Sequence, residues 1–139
     1  MALVIDASCG TGFLIPDEVD PVSTEALQLL QSGEETWVTA HWALEVANAL
    51  LFAEPRRISP ALSEELRAAT LQLSLQVDDE TFHRALADTF ALAKEHKLTL
   101  YDAAYLELAL RKGATLATKD AALAKAAKSA GVPLLGSEP

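Results

Sequence analysis

The sequence predicts an α/β protein, a three-layer sandwich in which helices flank a mainly parallel sheet of about five short strands. Short apolar runs, beginning with ALVI at 2–5, alternate with longer segments of helical periodicity, and this alternation is typical of strand–helix–strand units. Half of the 139 residues are hydrophobic, which is enough to form a core without disulfides. We therefore expect a single domain over residues 1–139, with a loose tail at 136–139.

Helix-ending and helix-starting signals divide the first half of the chain. Ser32 and Gly33 stop one helix, and Pro55 ends another because the residue before a proline disfavours helical geometry. Ser59 is a suitable N-cap, with Pro60 at the first helical position. The predicted elements are, in order, strand 2–5, a short helix or turn at 7–15, helix 23–31, strand 37–39, helix 41–53 and helix 60–73.

The second half of the chain follows the same alternation. Phe82, Leu86 and Phe90 recur at helical spacing, and Gly113 and Gly131 each follow a helical segment as C-terminal stops. The predicted elements are strand 75–77, helix 81–97, helix 99–112, strand 114–117, helix 120–130 and strand 132–135.

The overall charge and the single cysteine exclude several classes of protein. A net charge of −9 argues against non-specific nucleic-acid binding through a basic surface and favours cationic partners, either metal ions or a basic protein segment. Cys9 has no partner for an intramolecular disulfide and is interpreted as a small buried residue. The chain has neither a signal-peptide pattern nor an apolar run of about 20 residues, so we expect a cytoplasmic protein that does not span a membrane.

Four carboxylates differ from the other acidic residues in their surroundings. Asp6 and Asp120 each follow a predicted strand, Asp102 lies near the start of a helix, and Glu45 is alone in an apolar helix. Each has an ordinary structural alternative: Asp6 and Asp120 could be N-caps, and Asp102 could be the third residue of a helix capped by Thr99. Glu45 could face a solvent-exposed strip of its helix.

Considered together, these positions predict one acidic site that binds a divalent metal. The carboxyl ends of parallel strands meet at one edge of the sheet, where ligands bind in such folds. Four close carboxylates raise one another's pKa, so without a cation at least one pKa should be raised. Mg²⁺ binds carboxylates and phosphates. Two such ions can hold the attacking oxygen and the leaving oxygen when a phosphodiester bond is cleaved.

The four acids lie, in order along the chain, in the segments VIDASCGTGFLIPDE, HWALEVANAL, LTLYDAAYLELAL and LATKDAAL. These segments resemble, in the same order, the motifs of PIN-domain nucleases and in particular of the VapC-type toxins of bacterial toxin–antitoxin pairs. The resemblance covers nearly the whole chain. It implies four metal-binding, catalytic acids and two polar supporting residues: Asp6, Glu45, Asp102 and Asp120, then Ser8 and Thr118.

The resemblance also implies a function. It implies a PIN-like fold and a Mg²⁺- or Mn²⁺-dependent endoribonuclease that cleaves RNA phosphodiester bonds as the toxin of a type II toxin–antitoxin system. Homodimers are frequent in the family, and a cognate antitoxin masks the site, often with a basic side chain. The alternative is a PIN-like binding module that acts mainly through a protein partner, without nuclease activity. A phosphotransferase of the aspartyl-phosphate kind is disfavoured, because it needs a second aspartate where this chain has Ser8.

Some residues depart from the family pattern or have no assigned role. Gly10 and Gly12 put the regularity of the first helix in doubt. His41 could be a weak metal ligand or an RNA contact, but we interpret it as a bystander, since the chemistry of the family requires no histidine. Lys119 is the basic residue best placed to touch a phosphate, although such residues are more often solvated.

Overall fold

The computed structural model describes residues 1–136, so the predicted loose tail lies, apart from Gly136, outside the described residues. A four-stranded parallel sheet has the strand order β3-β2-β1-β4 and is flanked by helices. The strands are β1 Ala2–Ile5, β2 Glu35–Val38, β3 Gln76–Val77 and β4 Thr115–Ala117. This arrangement confirms the predicted α/β sandwich with a mainly parallel sheet.

The helices connect and cover these strands. They are α1 Ala7–Leu14, α2 Pro21–Gln31, α3 Trp42–Ala53, α4 Pro60–Leu71, α5 Thr81–Ala85, α6 Asp88–His96, α7 Leu100–Lys112 and α8 Ala121–Ala130, with a 3₁₀ turn at Pro16–Glu18. Within residues 1–136, none of the helices combines the length and the apolar character that crossing a membrane requires.

Two predicted elements differ from the structure. The segment 132–135 makes only an isolated bridge, between Leu134 and Leu116, rather than a fifth strand; Pro133 lacks the N–H that a longer ladder would use. The predicted helix 81–97 is divided into α5 and α6. The apolar stripe that suggested one helix is largely exposed, with Phe82 at 78% and Leu86 at 84%, so it does not mark the buried face.

The core lies around β1 and α7. Leu3, Val4 and Ile5 are fully buried because β1 lies between β2 and β4, and every residue from 103 to 109 of α7 is buried. Helix α1 is regular despite its two glycines. The glycines are needed because neighbouring helices pack closely against them. A Cβ at Gly10 would lie 2.6 Å from Cζ2 of Trp42 on α3, and one at Gly12 would collide with the hydroxyl group of Ser23 on α2.

Candidate functional site

Asp6 directly follows the central strand β1 and is buried, with 3% exposure. Its Oδ1 accepts hydrogen bonds from the hydroxyl of Ser8 (2.7 Å) and the N–H of Cys9 (2.9 Å), so Asp6 does cap α1, which was the structural alternative for this residue. Its Oδ2 accepts a hydrogen bond from the hydroxyl of Thr118. Burial raises the pKa of Asp6 despite these hydrogen bonds, and the charge of Asp102 adds to the effect.

The connection between β4 and α8 brings a second carboxylate to the same edge of the sheet. Oδ1 of Asp120 accepts a hydrogen bond from the N–H of Leu123 (2.8 Å), which confirms Asp120 as the cap of α8. The N–H of Asp120 donates to the hydroxyl oxygen of Thr118 (3.0 Å), and the N–H of Lys119 donates to that of Ser8 (2.8 Å). The two supporting residues predicted from the sequence therefore link Asp6 to this connection.

The ammonium group of Lys119 is paired with acceptors near the start of α2. Its Nζ lies 2.9 Å from the carbonyl oxygen of Glu18 and 3.2 Å from Oδ2 of Asp20, the residue that caps α2. This pairing ties the end of β4 to the α1–α2 connection. The structure therefore places the Lys119 ammonium against an acid, whereas the sequence had suggested it as the residue closest to a phosphate.

Glu45 lies in the first turn of α3, and its side chain is 36% exposed. Its Oε1 accepts a hydrogen bond from the hydroxyl of Tyr105 (2.7 Å) and lies 3.2 Å from Nε2 of His41. Burial alone would raise the pKa of Glu45, but the hydrogen bonds with His41 and Tyr105 outweigh it and lower the pKa. His41 is therefore not the bystander that the sequence suggested.

Asp102 lies in the first turn of α7, where its N–H donates to the hydroxyl oxygen of Thr99 (3.2 Å). Burial raises the pKa of the half-buried Asp102, and the negative charges of Asp120 and Glu45 raise it further. The expectation that at least one pKa is raised without metal is thus confirmed, although burial contributes more than the neighbouring charges.

Positive charge is scarce around these four acids. Among residues 1–136, Asp6, Asp102 and Asp120 form no ion pair with a basic side chain, and Glu45 has only His41. Asp102 interacts electrostatically with each of the other three acids, but the four carboxylates do not form a tight cage. In the described part of the chain, no three of their oxygen atoms lie within 4.8 Å of one another.

A tighter acidic group, Asp78, Asp79 and Glu80, follows β3. Acidic residues in polar sequence surroundings are usually solvated, but Asp78 is only 3% exposed. Its carboxylate accepts hydrogen bonds from Nη1 (3.0 Å) and Nη2 (2.8 Å) of Arg111, which also contacts Glu80 (3.1 Å) and Glu107 (3.0 Å). Because the guanidinium already supplies the counter-charge, this cluster is an ion-pair network in the structure.

Sequence reasoning missed Tyr105, which donates to Glu45, and Thr39, which lies near Tyr105. Tyr105 is three residues after Asp102, and this helical spacing was a signal that the two lie on one side of α7. Thr39 follows β2 and is 1% exposed. Burial raises the pKa of Tyr105, and the nearby hydroxyl of Thr39 partly offsets this by lowering it. Within residues 1–136, the Thr39 hydroxyl makes no hydrogen bond of regular geometry.

The fold and these side chains define a parallel α/β protein with a carboxylate-lined site at the carboxyl edge of its sheet. The chain belongs to the PIN domain family, since the PIN domain model matches residues 3–129. It is also similar to Ribonuclease VapC3 of Pyrobaculum aerophilum, with 34% identity over 130 residues that cover 90% of this chain and 94% of the relative. The resemblance seen in the four motifs is therefore confirmed.

Solved structures show the same fold at lower identity. PAE2754 from Pyrobaculum aerophilum superposes with a TM-score of 0.67 at 20% identity, covering 91% of this chain and 84% of its own. VapC20 from Mycobacterium tuberculosis, described as a sarcin-ricin loop cleaving toxin, gives a TM-score of 0.61 at 16% identity and covers 99% of both chains. At these identities the comparison shows the fold alone.

Proposed function

We propose that this protein is a metal-dependent endoribonuclease that cleaves RNA phosphodiester bonds as the toxin of a type II toxin–antitoxin system. The observation that carries the proposal is the placement of four acids at the N-terminal ends of α1, α3, α7 and α8, where Asp102 is close enough to interact with the other three, in surroundings poor in basic side chains. The similarity to a VapC ribonuclease supports RNA as the substrate.

The chemistry of the donor set fits Mg²⁺ or Mn²⁺. Carboxylate oxygens are the hard ligands that these ions prefer, and Asp6, Glu45, Asp102 and Asp120 would hold them. Oε1 of Glu45 is engaged by two side chains, whereas Oε2 accepts no hydrogen bond within residues 1–136 and is available to a cation. When bound, a divalent ion supplies positive charge that stabilises negative charge developing on the phosphodiester oxygens.

Side-chain and backbone groups of the chain hold two of these carboxylates in fixed orientations. Asp6 is oriented by Ser8, Cys9 and Thr118, and Glu45 by its contact with Tyr105. Carboxylates that are oriented in advance need little reorganisation during the reaction. The surplus of acidic groups also means that the polyanionic RNA needs the metal for productive binding.

The direct test is RNA cleavage in Mn²⁺ by the wild type and by Asp102→Asn, which preserves the shape of the side chain. We expect the variant to lose about 10²–10³-fold in rate, as when one transition-state-stabilising group is removed. Asp79→Asn is the matched control, because Asp79 is an exposed acid of the other acidic group. Equal cleavage by the wild type and Asp102→Asn would contradict the proposal and indicate a contaminating nuclease.

The same proposal includes a cognate antitoxin, a homodimer, a single domain and a cytoplasmic location. Exposed apolar side chains on α3 and α5, such as Leu44 (75%), Leu51 (65%) and Phe82 (78%), are available for protein contacts. The net charge of −9 favours a basic partner segment. If the protein bound no Mn²⁺ in calorimetry and Asp6→Asn kept its cellular effect, a binding module without nuclease activity would be the better description.

A further inference from the structure

His41 occupies the N-cap position of α3 and points its Nε2 at two acceptors. This nitrogen lies 3.2 Å from Oε1 of Glu45 and 3.2 Å from the carbonyl oxygen of Tyr101. A carboxylate and a carbonyl oxygen can only accept hydrogen bonds, so Nε2 must carry a hydrogen atom. The tautomer of His41 is thereby fixed by its surroundings.

The two acceptors belong to different helices that each carry one of the proposed metal ligands. Glu45 is in the first turn of α3, and Tyr101 directly precedes Asp102 in the first turn of α7. One imidazole therefore links the side chain of Glu45 to the backbone turn that presents Asp102.

Aromatic contacts hold the imidazole in place. The ring of His41 lies 5.0 Å from that of Tyr105 and 5.6 Å from that of Tyr101, with interplanar angles of 55° and 62°. Its side chain is only 17% exposed. These contacts restrict rotation of the ring, so Nε2 stays beside Oε1 of Glu45 and the carbonyl oxygen of Tyr101.

We infer that His41 is a positioning residue, which fixes the Glu45 carboxylate relative to Asp102 and leaves Oε2 of Glu45 for the cation. The inference rests on the proposed function, since it takes Glu45 as a metal ligand. His41 and Tyr105 both use Oε1, so their joint effect is to orient the carboxylate without blocking its second oxygen. Groups that orient a metal ligand typically contribute about 10–100-fold to metal affinity or activity.

The test separates the hydrogen-bond donor from the ring. His41→Phe keeps an aromatic ring but loses the donor, whereas His41→Gln loses the ring and keeps an N–H at a similar reach. We expect His41→Phe to weaken Mn²⁺ binding about 10–100-fold in calorimetry, and His41→Gln to recover most of the affinity. At limiting Mn²⁺ the kcat/KM for RNA cleavage by His41→Phe should fall, and saturating Mn²⁺ should restore most of it, because His41 acts on the metal ligand.

Two controls make the outcome decisive. His83→Phe makes the same substitution at an exposed histidine on α5 and should leave Mn²⁺ affinity unchanged. His41→Asn, whose amide is too short to reach, replaces His41→Phe if that variant does not fold, as judged from the apo-protein melting temperature.

Glu45→Gln distinguishes failure of the inference from failure of the proposed function. If Glu45→Gln weakens Mn²⁺ binding but His41→Phe does not, Glu45 is a ligand and His41 does not position it. Equal losses in His41→Phe and His41→Gln would also overturn the inference, since the donor would then be irrelevant. If Glu45→Gln itself binds Mn²⁺ like the wild type, the proposed metal site is wrong and the inference falls with it.

Discussion

Replacing Arg111 with methionine should lower the free energy of unfolding by about 3–5 kcal/mol, the usual cost of removing one partner from a buried ion pair. The Arg111 side chain is 15% exposed and, besides the more exposed Glu80, donates to two buried carboxylates, those of Asp78 and Glu107, which are 3% and 6% exposed. Methionine has a similar length and fills most of the same space. The loss should therefore come from two buried negative charges left without a counter-charge.

Urea denaturation followed by circular dichroism measures this loss directly. Arg84→Met is the matched control, because Arg84 makes ion pairs with Glu80 and Asp88 at the surface of the same region, with its side chain 36% exposed. Solvent and salt screen such pairs, so the control should change the unfolding midpoint far less. Equal midpoints for the two variants would refute the assignment of the Arg111 network as a buried one.

The pH dependence gives a second test of the same network. Burial would raise the pKa of Asp78, but the hydrogen bonds, chiefly those with Arg111, outweigh it and lower the pKa. Because the folded-state pKa lies below the unfolded one, this stabilisation is present above the unfolded pKa and is lost as pH falls through the folded pKa. The difference in stability between the wild type and Arg111→Met should therefore narrow in acid. A difference that stays constant down to about pH 3, below the ordinary pKa of aspartate, would contradict the reasoning.

Three further changes test the site and its packing. Tyr105→Phe removes the hydroxyl that donates to Glu45, so calorimetry should show about tenfold weaker Mn²⁺ binding; unchanged affinity would mean that this hydrogen bond does not orient the ligand. Asp6→Asn removes a carboxylate whose folded-state pKa is raised, so ionised Asp6 destabilises the apo fold as pH rises from the unfolded toward the folded pKa. In urea denaturation at neutral pH, Asp6→Asn should be more stable than the wild type, and it should lose the rise in Tm that Mn²⁺ produces. A lower stability of Asp6→Asn would show that the hydrogen bonds to the Asp6 carboxylate outweigh the cost of its burial. Gly10→Ala would place a Cβ 2.6 Å from Trp42 and should cost about 1–3 kcal/mol, as overpacking does; an unchanged Tm would show that α1 and α3 separate easily.

Local rules predicted the elements that position the site. The run ALVI is β1 as predicted, and Asp6, Ser59, Thr99 and Asp120 all cap helices through their side-chain oxygens. Caps and strand ends depend on residues within a few positions, so the sequence contains the necessary information. The same rules placed the four acids at one edge of the sheet, where the strands end.

Contacts between distant parts of the chain were beyond those rules. Asp78 lies in an acidic run that is typical of solvent-exposed segments, and its ion-pair partner Arg111 is 33 positions away. His41 lies four positions before Glu45, which is a helical spacing, but its second acceptor, Tyr101, is 60 positions away. The break between α5 and α6 had no signal because Leu86 continues the helical spacing while pointing to solvent.

Each residue of the short connection from β4 to α8 makes a hydrogen bond that supports the site or the next helix. Thr118 binds Asp6, the backbone of Lys119 binds Ser8, and Asp120 caps the next helix. Adding or deleting one residue there would break at least one of these bonds at the site. Evolutionary changes of chain length should therefore avoid 118–120 and accumulate in connections such as the partly exposed 72–75.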